Sequence, residues 1–231
     1  MSFSVNPLAK VEVTYIGSRQ TPVIVADNFL DSVEGLLQHA GDMSSFTRQQ
    51  TDYYPGARKP LPQAYEQTVK HWVESALPNI LSHSQVTVDV TLCAMSLTNQ
   101  SPDTLIPIQR IPHFDTPDPN QWALVHYLCA ESFGGTGFFK HIRSGFETIT
   151  EANQKSYFRT LADDASVSGV PRAQYLQGSN DLFDMLHSVE AKMNRLVMYP
   201  SNLLHSGLIK NWQASTPQNG RLTANAFCVV A

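Results

Sequence analysis

Long apolar runs are missing from this sequence of 231 residues. None approaches the roughly 20 residues that a membrane-spanning helix needs. The first ten residues hold no basic segment followed by an apolar stretch, so no secretory signal is expected, and a cytoplasmic location follows by default. Charge is also scarce: Asp, Glu, Lys and Arg make up 16% of the chain, against about a quarter in ordinary domains. That excludes a disordered or supercharged protein. The balance of 16 basic to 20 acidic residues leaves a net charge of -4, which gives nucleic acid no basic face to bind. Cysteine occurs three times, at Cys93, Cys129 and Cys228. An odd and sparse set builds no disulfide framework, and the apolar surroundings of each mark a buried thiol. Repeats and low-complexity tracts are absent.

What is present is apolar material for a core, 42% of the residues. Val11 to Ile16 and Pro22 to Val25 are rich in β-branched residues and read as strands. Asp31 to Ala40 reads as a helix with Asp31 as its cap, Val33, Leu36, Leu37 and Ala40 as its stripe, and Gly41 as its stop. Tyr53 to Arg58 reads as a loop around Pro55-Gly56. Pro62 to Leu77 reads as a second helix that ends before Pro78. From Gln85 onward the texture is that of strands. Val86 to Leu97 places Val86, Val88, Val90 and Leu92 on one face. Trp122 to Cys129, Thr136 to Ile142, Leu182 to Glu190, Arg195 to Tyr199 and Leu222 to Val230 follow.

This order predicts one domain that is mainly β with flanking helices. Residues 1–85 form a mixed support, and 86–231 form a sandwich or jelly-roll core. The polar stretch 150–179, with a helix over Glu151 to Leu161, interrupts the strands. It is either a flank or lid over a site or a decorated connection.

Eight histidines are scattered along the chain, and one has company. In Pro112-His113-Phe114-Asp115 an extended backbone points His113 and Asp115 to one face and Phe114 to the other. Such a pair alone is more often a surface ion pair than a metal site. A third donor, His205, follows the apolar strand Arg195 to Tyr199. Two histidines and one carboxylate on one side of a cation leave coordination positions open, the facial arrangement of non-haem iron(II) oxygenases. The last strand opens with a polar face, Arg221, Thr223 and Asn225, alternating with Leu222, Ala224 and Ala226. Arg221 can grip a carboxylate bidentately, and Thr223 can add a hydroxyl donor.

Three blocks together resemble the prolyl-4-hydroxylase-like branch of the iron(II)/2-oxoglutarate-dependent dioxygenases. They are Pro112 to Asp115 with Trp122 to Leu128, then Phe133-Gly134-Gly135-Thr136-Gly137-Phe138-Phe139, and finally Asn194 to Pro200 with Leu204-His205 and Gly220-Arg221. Pro22 to Leu30, ahead of a helix, resembles the family's entry segment. The resemblance implies a distorted double-stranded β-helix, a jelly roll of the cupin-like kind, with Fe(II) on His113, Asp115 and His205. It also implies 2-oxoglutarate as co-substrate, held through its far carboxylate by Arg221 with Thr223 in support, and O2 as the oxidant. By the same resemblance Asp115 points to hydroxylation or a related oxidation, because halogenating relatives lack that carboxylate.

The chain departs from the family pattern in places. Arg221 lies 16 residues after His205, so the loop Lys210 to Asn219 must bulge, and Lys210 is a rival cation. The family's tyrosine ahead of the His-x-Asp turn has no counterpart, and Tyr127 is either its substitute or a core residue. The substrate is expected over the open side of the metal, near the 150–179 insertion, Arg110 or the Tyr54–Arg58 loop; Arg110, beside the ligand turn, is either a substrate contact or a structural salt bridge. The substrate class extends from small molecules to amino acids and peptides, and neither a membrane nor a nucleic-acid partner is expected. Oligomeric state has no signature. Two other readings stay open: a cupin-like metal oxygenase or isomerase that makes no use of 2-oxoglutarate, and a non-catalytic metal- or ligand-binding module.

Overall fold

Alternation along the strands sorts the side chains into layers. Ten strands and three α-helices form among the residues described by the computed structural model, 2–48, 53–81, 85–213 and 216–231. The strands are β1 (Lys10–Ile16), β2 (Thr21–Asp27), β3 (Gly56–Pro60), β4 (Val88–Thr98), β5 (Gln121–Tyr127), β6 (Thr136–His141), β7 (Phe183–Val189), β8 (Arg195–Pro200), β9 (His205–Gly207) and β10 (Arg221–Val230). The helices are α1 (Glu34–Ala40), α2 (Gln63–Leu81) and α3 (Glu151–Ser168). Seven strands make one sheet in the order β1-β2-β8-β5-β10-β4-β3, and three make a second in the order β7-β6-β9. The pairings are antiparallel. The fold is a distorted double-stranded β-helix, a jelly roll, as the strand pattern predicts. No helix among the described residues is long and apolar enough to cross a membrane.

Period-two alternation assigns one face of the large sheet to a helical layer and the other to the interior of the roll. Leu196 and Met198 of β8, Leu124 of β5, and Leu222, Ala224 and Ala226 of β10 pack with Tyr65, Val69, Trp72, Val73 and Leu77 of α2. Those α2 positions fall at helical spacing, which makes one apolar stripe. The alternate residues Val197, Tyr199, Ala123 and Tyr127 face the second sheet and meet Phe138. Phe139, the next residue of β6, turns to the far side and joins Tyr157 of α3, Phe183 and Leu204. The order is therefore helices, large sheet, small sheet, helix.

Several sequence boundaries shift, each for a local reason. α1 starts at Glu34 rather than at Asp31, because Asp31 N donates to Ser4 O (3.1 Å) and Ser32 Oγ receives Glu34 N (3.2 Å). α2 continues through Pro78 to Leu81, giving up the one hydrogen bond that a proline cannot donate. Gly56, Ala57 and Arg58 belong to a strand and not to a loop. A Cβ at Gly56 would lie 2.1 Å from Leu97 O, so only glycine admits β3 at this distance from β4. In β4, Phe227 pairs with Leu92 and Cys228 with Val90, leaving Thr91 as a bulge. The bulge reverses the alternation. Val88 and Val90 pack on the helical side, while Leu92 turns into the interior.

The β2–β8 end of the large sheet is closed by charge. Arg195 Nε and Nη2 donate to Asp27 at 2.5 and 2.9 Å, and Lys192 Nζ approaches at 3.1 Å. The Arg195 hydrogen bond is the leading cause that lowers the Asp27 carboxyl from 3.8 to about 2. A folded-state value below the unfolded one means the stabilisation is complete above pH ~4 and fades as pH falls toward 2. Its size is about 2 kcal/mol. Asp27→Asn is expected to lower the thermal midpoint by several degrees at pH 7. Calorimetric scans should show the gap from wild type narrowing between pH 4 and pH 2, and a gap independent of pH would contradict the assignment.

Candidate metal centre

His113 and Asp115 come from an irregular segment, and His205 opens β9. One backbone contact brings them together. His113 N donates to His205 O (2.9 Å), and His205 N donates to His113 O (2.8 Å). Such a reciprocal pair places both side chains on the same face, and the two rings stand 4.4 Å apart between centroids. Asp115 N donates to Ser201 O at 2.8 Å, which fixes the next extended residue on the same strip. Phe114 turns away toward α3 and meets Tyr157 and Phe158 at 6.2 and 5.9 Å.

The donor atoms of His113, Asp115 and His205 all lie within 4.8 Å of one another. Asp115 Oδ1 is 3.9 Å from His113 Nε2, and Asp115 Oδ2 is 3.6 Å from His205 Nε2. Two donors on one ion with bonds near 2.1 Å can stand at most about 4.2 Å apart. Both carboxylate–imidazole separations meet that limit. His205 Nδ1 donates to Leu203 O at 2.8 Å. This hydrogen bond fixes the tautomer whose Nε2 lone pair faces Asp115. Lost hydration lowers both imidazoles to about 4, His113 being further lowered by neighbouring His205. Burial likewise pushes Asp115 up to about 6. Two neutral imidazoles and a poorly hydrated carboxylate suit a divalent cation, which takes unprotonated donors.

These residues line a cavity of about 510 Å³ between the sheets, within the usual range for small-molecule sites. Arg221, Thr223 and Asn225 line it as well, as the polar face of the last strand predicts. Arg221 is 5% exposed. Its Nη2 and Nε donate to Gly135 O (3.2 Å) and Gly134 O (3.4 Å), and no carboxylate partners it among the described residues. It lies near the histidines: a Cβ on Gly207 would be 3.7 Å from its Nη2. Thr223 Oγ1 and Asn225 Oδ1 are buried and without a partner among the described residues. Lys210 is exposed and is no rival. Of the loop from Lys210 to Asn219, residues 214 and 215 lie outside the described part.

Other expectations resolve differently. Tyr127 stands behind the wall, not on it. Its hydroxyl bonds Thr136 Oγ1 at 2.6 Å, and its ring lies 5.8 Å from the Arg221 guanidinium, so it supports the site from outside. Arg110 donates to Leu105 O and Pro171 O, both at 2.9 Å, and ties the 150–179 segment down. His141 does have partners: Asp164 Oδ2 at 3.0 Å and Ser144 Oγ at 2.9 Å, with Arg143 on the other Asp164 oxygen at 2.8 Å. This cluster fastens α3, whose Tyr157 and Phe158 line the cavity. The segment is thus a flank of the site. His126 is a satisfied core histidine between Tyr65 (3.0 Å) and Asn194 (3.1 Å).

Sequence reasoning missed one wall residue and the strand that carries another. Tyr199 packs its ring 4.8 Å from that of His205, and alternation from Val197 would have pointed it inward. Arg58 enters from β3, which reads as a loop in the sequence.

Divalent metal is expected to bind with one-to-one stoichiometry. Anaerobic calorimetry with Fe(II) or Co(II) should give a single site. Asp115→Ala or His205→Ala should weaken it by more than about tenfold, since each takes away one of the three candidate donors. Unchanged affinity in both variants would remove these residues from the site.

Comparison with solved structures gives likeness of fold at low identity. The chain is similar to SnoN, a non-heme α-ketoglutarate-dependent epimerase from nogalamycin biosynthesis. The TM-score is 0.50 and the identity 12%, over 91% of this chain and 78% of that one. EvdMO1 gives 0.45 at 13% identity, over 95% and 55% of the two chains. EctD from S. alaskensis with bound Fe gives 0.38 at 13%, over 99% and 83%. No curated protein matches the sequence. One sequence profile matches nearly the full length, residues 7–228, and by that match the chain belongs to the family described as "Family of unknown function (DUF6445)".

Proposed function

We propose that the protein is an iron(II)- and 2-oxoglutarate-dependent oxygenase of the hydroxylase type. The observation that carries this reading is one cavity with two built ends. Three convergent metal donors stand at one end, and a buried arginine that no carboxylate partners among the described residues stands beside them. His113, Asp115 and His205 would hold the ferrous ion on one side and leave its other side to the cavity. Arg221, with the orphaned hydroxyl of Thr223, would bind the far carboxylate of 2-oxoglutarate. When bound, the iron and 2-oxoglutarate supply the oxidant, with one atom of O2 passing to a substrate C–H bond and the other to succinate as CO2 leaves.

The chain's own part is positioning and exclusion of water. Leu203 O orients His205, and Tyr199 covers its ring. Gly134 and Gly135 lend their carbonyls to the guanidinium. They can do so because neither carries a Cβ, which would strike Leu208 O or Val189 O. Phe114, Tyr157 and Phe158 form an aromatic wall that limits water near the reacting bond. SnoN, of similar fold, is an epimerase. The nature of the product therefore belongs to the test.

Anaerobic addition of Fe(II) and 2-oxoglutarate should produce the visible absorption band of a chelated keto acid. Arg221→Met should raise the 2-oxoglutarate concentration for half-saturation by more than about tenfold, the worth of a charge-assisted bidentate pair. With O2 admitted, succinate should accumulate slowly even without substrate. A metal-loaded protein showing neither band nor succinate would favour the reading without 2-oxoglutarate.

A further inference from the structure

Asn225 stands on the inner face of β10, one alternation beyond Thr223 and two beyond Arg221. At about 3.4 Å per residue, its Cα lies about 14 Å along the strand from that of Arg221. The register sets it among apolar neighbours. Asn225 pairs with Ala94 of β4 and with Val125 of β5, and the next inward residue, Phe227, pairs with Leu92 and Ala123. Val125, Phe227, Leu92 and Ala123 line the cavity together with Asn225. One carboxamide thus interrupts an apolar floor.

That carboxamide is satisfied on one side only. Its Nδ2 donates to Ser96 Oγ at 2.9 Å, and Ser96 is fully buried. The bond fixes the turn of the amide and commits its donor. Its Oδ1 is buried and meets no donor among the described residues. A buried acceptor without a partner costs stability, whereas apolar groups of the same shape in place of both partners cost little or nothing. Stability alone would favour an aliphatic side chain here, as at Val125 on the neighbouring strand. The co-substrate offers no remedy: the carboxylates and keto oxygen of 2-oxoglutarate are acceptors, and an acceptor cannot satisfy Oδ1. The missing donor belongs to a different guest.

From the register, the committed amide donor and the orphaned acceptor, we propose that Asn225 sets substrate specificity by accepting, at Oδ1, a hydrogen bond from an N–H or O–H group of the substrate. The substrate is then a compact apolar or aromatic molecule that carries such a donor. Its body lies against Val125 and Phe227, and its donor points to Asn225. This assignment rests on the oxygenase reading of the same cavity.

The test uses the full chain, loaded anaerobically with Fe(II) and saturating 2-oxoglutarate. It is titrated calorimetrically with indole and, separately, with benzofuran, which keeps the shape and puts an ether oxygen in place of the N–H. Indole is expected to bind about fivefold tighter, the worth of one net hydrogen bond, and Asn225→Leu should abolish that preference. A second measurement reads the empty protein. Ser96→Ala combined with Asn225→Leu removes both partners, and its thermal midpoint should equal or exceed that of wild type. The wild-type contrast needs no variant, so a folding defect in either substitution leaves it readable. Equal binding of the two probes, a preference for benzofuran, no binding of indole at millimolar concentration, or a full preference in Asn225→Leu overturns the proposal. So does a midpoint of the double variant more than about 5 °C below wild type, because it assigns the amide to the fold. The chelate band, recorded on the same samples, separates the two readings. A donor preference that depends on Asn225 in protein without the band sinks the oxygenase reading and keeps the acceptor. The band without the preference does the opposite.

Discussion

The site depends on one reciprocal pair of hydrogen bonds, between the backbones of His113 and His205. These residues are 92 apart in sequence, and nothing local draws them together. Closing a loop of that length carries an entropic cost that grows slowly with length, and the surrounding sheet pairings offset it. Once the pair forms, chemistry follows from geometry. Opposed residues in a hydrogen-bonded antiparallel pair share a face, so both imidazoles turn into the roll. Asp115, two residues on, follows by alternation. The carboxylate stays on that strip through its own backbone bond to Ser201. Three candidate donors thus reduce to one pairing and one period.

The same alternation places the cations. β10 carries its apolar residues to the helical side and Arg221, Thr223 and Asn225 to the interior. Burying a guanidinium against two backbone carbonyls is unfavourable, because its lost hydration is only partly replaced. A sheet selected for stability alone would put an aliphatic residue there. Arg221 and the orphaned Thr223 hydroxyl make sense as one end of a binding site whose ligand completes their hydrogen bonds. The strain of that end is carried by Gly134, at φ +81°, and by Gly135, where the chain passes Leu208 and Val189 too closely for any side chain.

Strand periodicity in the second half of the chain was strong enough to read the jelly roll and the inward face of β10. It was also strong enough to pair His113 with Asp115 as extended neighbours. What escaped lies where a tertiary contact overrides a local signal. Pro55-Gly56 reads as a turn, yet Gly56 begins β3 because its missing side chain admits Leu97 O. The 54–58 stretch was expected near the substrate, but as a loop; it is the register of β3, and not its neighbours in sequence, that puts Arg58 in the cavity. The Thr91 bulge moved Leu92 to the interior because alternation has no way to announce an inserted residue. Tyr127 matched the family's need for a hydroxyl, but its hydroxyl bonds Thr136 and it stands behind that wall residue without lining the cavity. The fold was legible because it is periodic. The cavity was legible only in part, because a cavity is a relation between segments.

The inserted segment could in principle open as a lid, and its attachments argue that it stands as a wall. α3 is pinned through Asp164 to His141 and Arg143. Further along, Pro171 O receives Arg110, Tyr175 donates to Gln100 O at 2.6 Å, and Gln177 donates to Ile209 O at 2.7 Å. Swinging the segment outward would break these contacts together. Groups freed in this way meet water, so each contact is worth about 0.5–1.5 kcal/mol, and several lost together are a substantial part of the total stability of a domain, roughly 5–15 kcal/mol. Phe158, by contrast, is 45% exposed and borders both hollows. Turning one aromatic ring costs little beside lifting a helix. The α3 side of the cavity is therefore a fixed backbone wall, in which Phe158 is the exposed ring, and the His113–His205 pairing stands behind it independent of that wall.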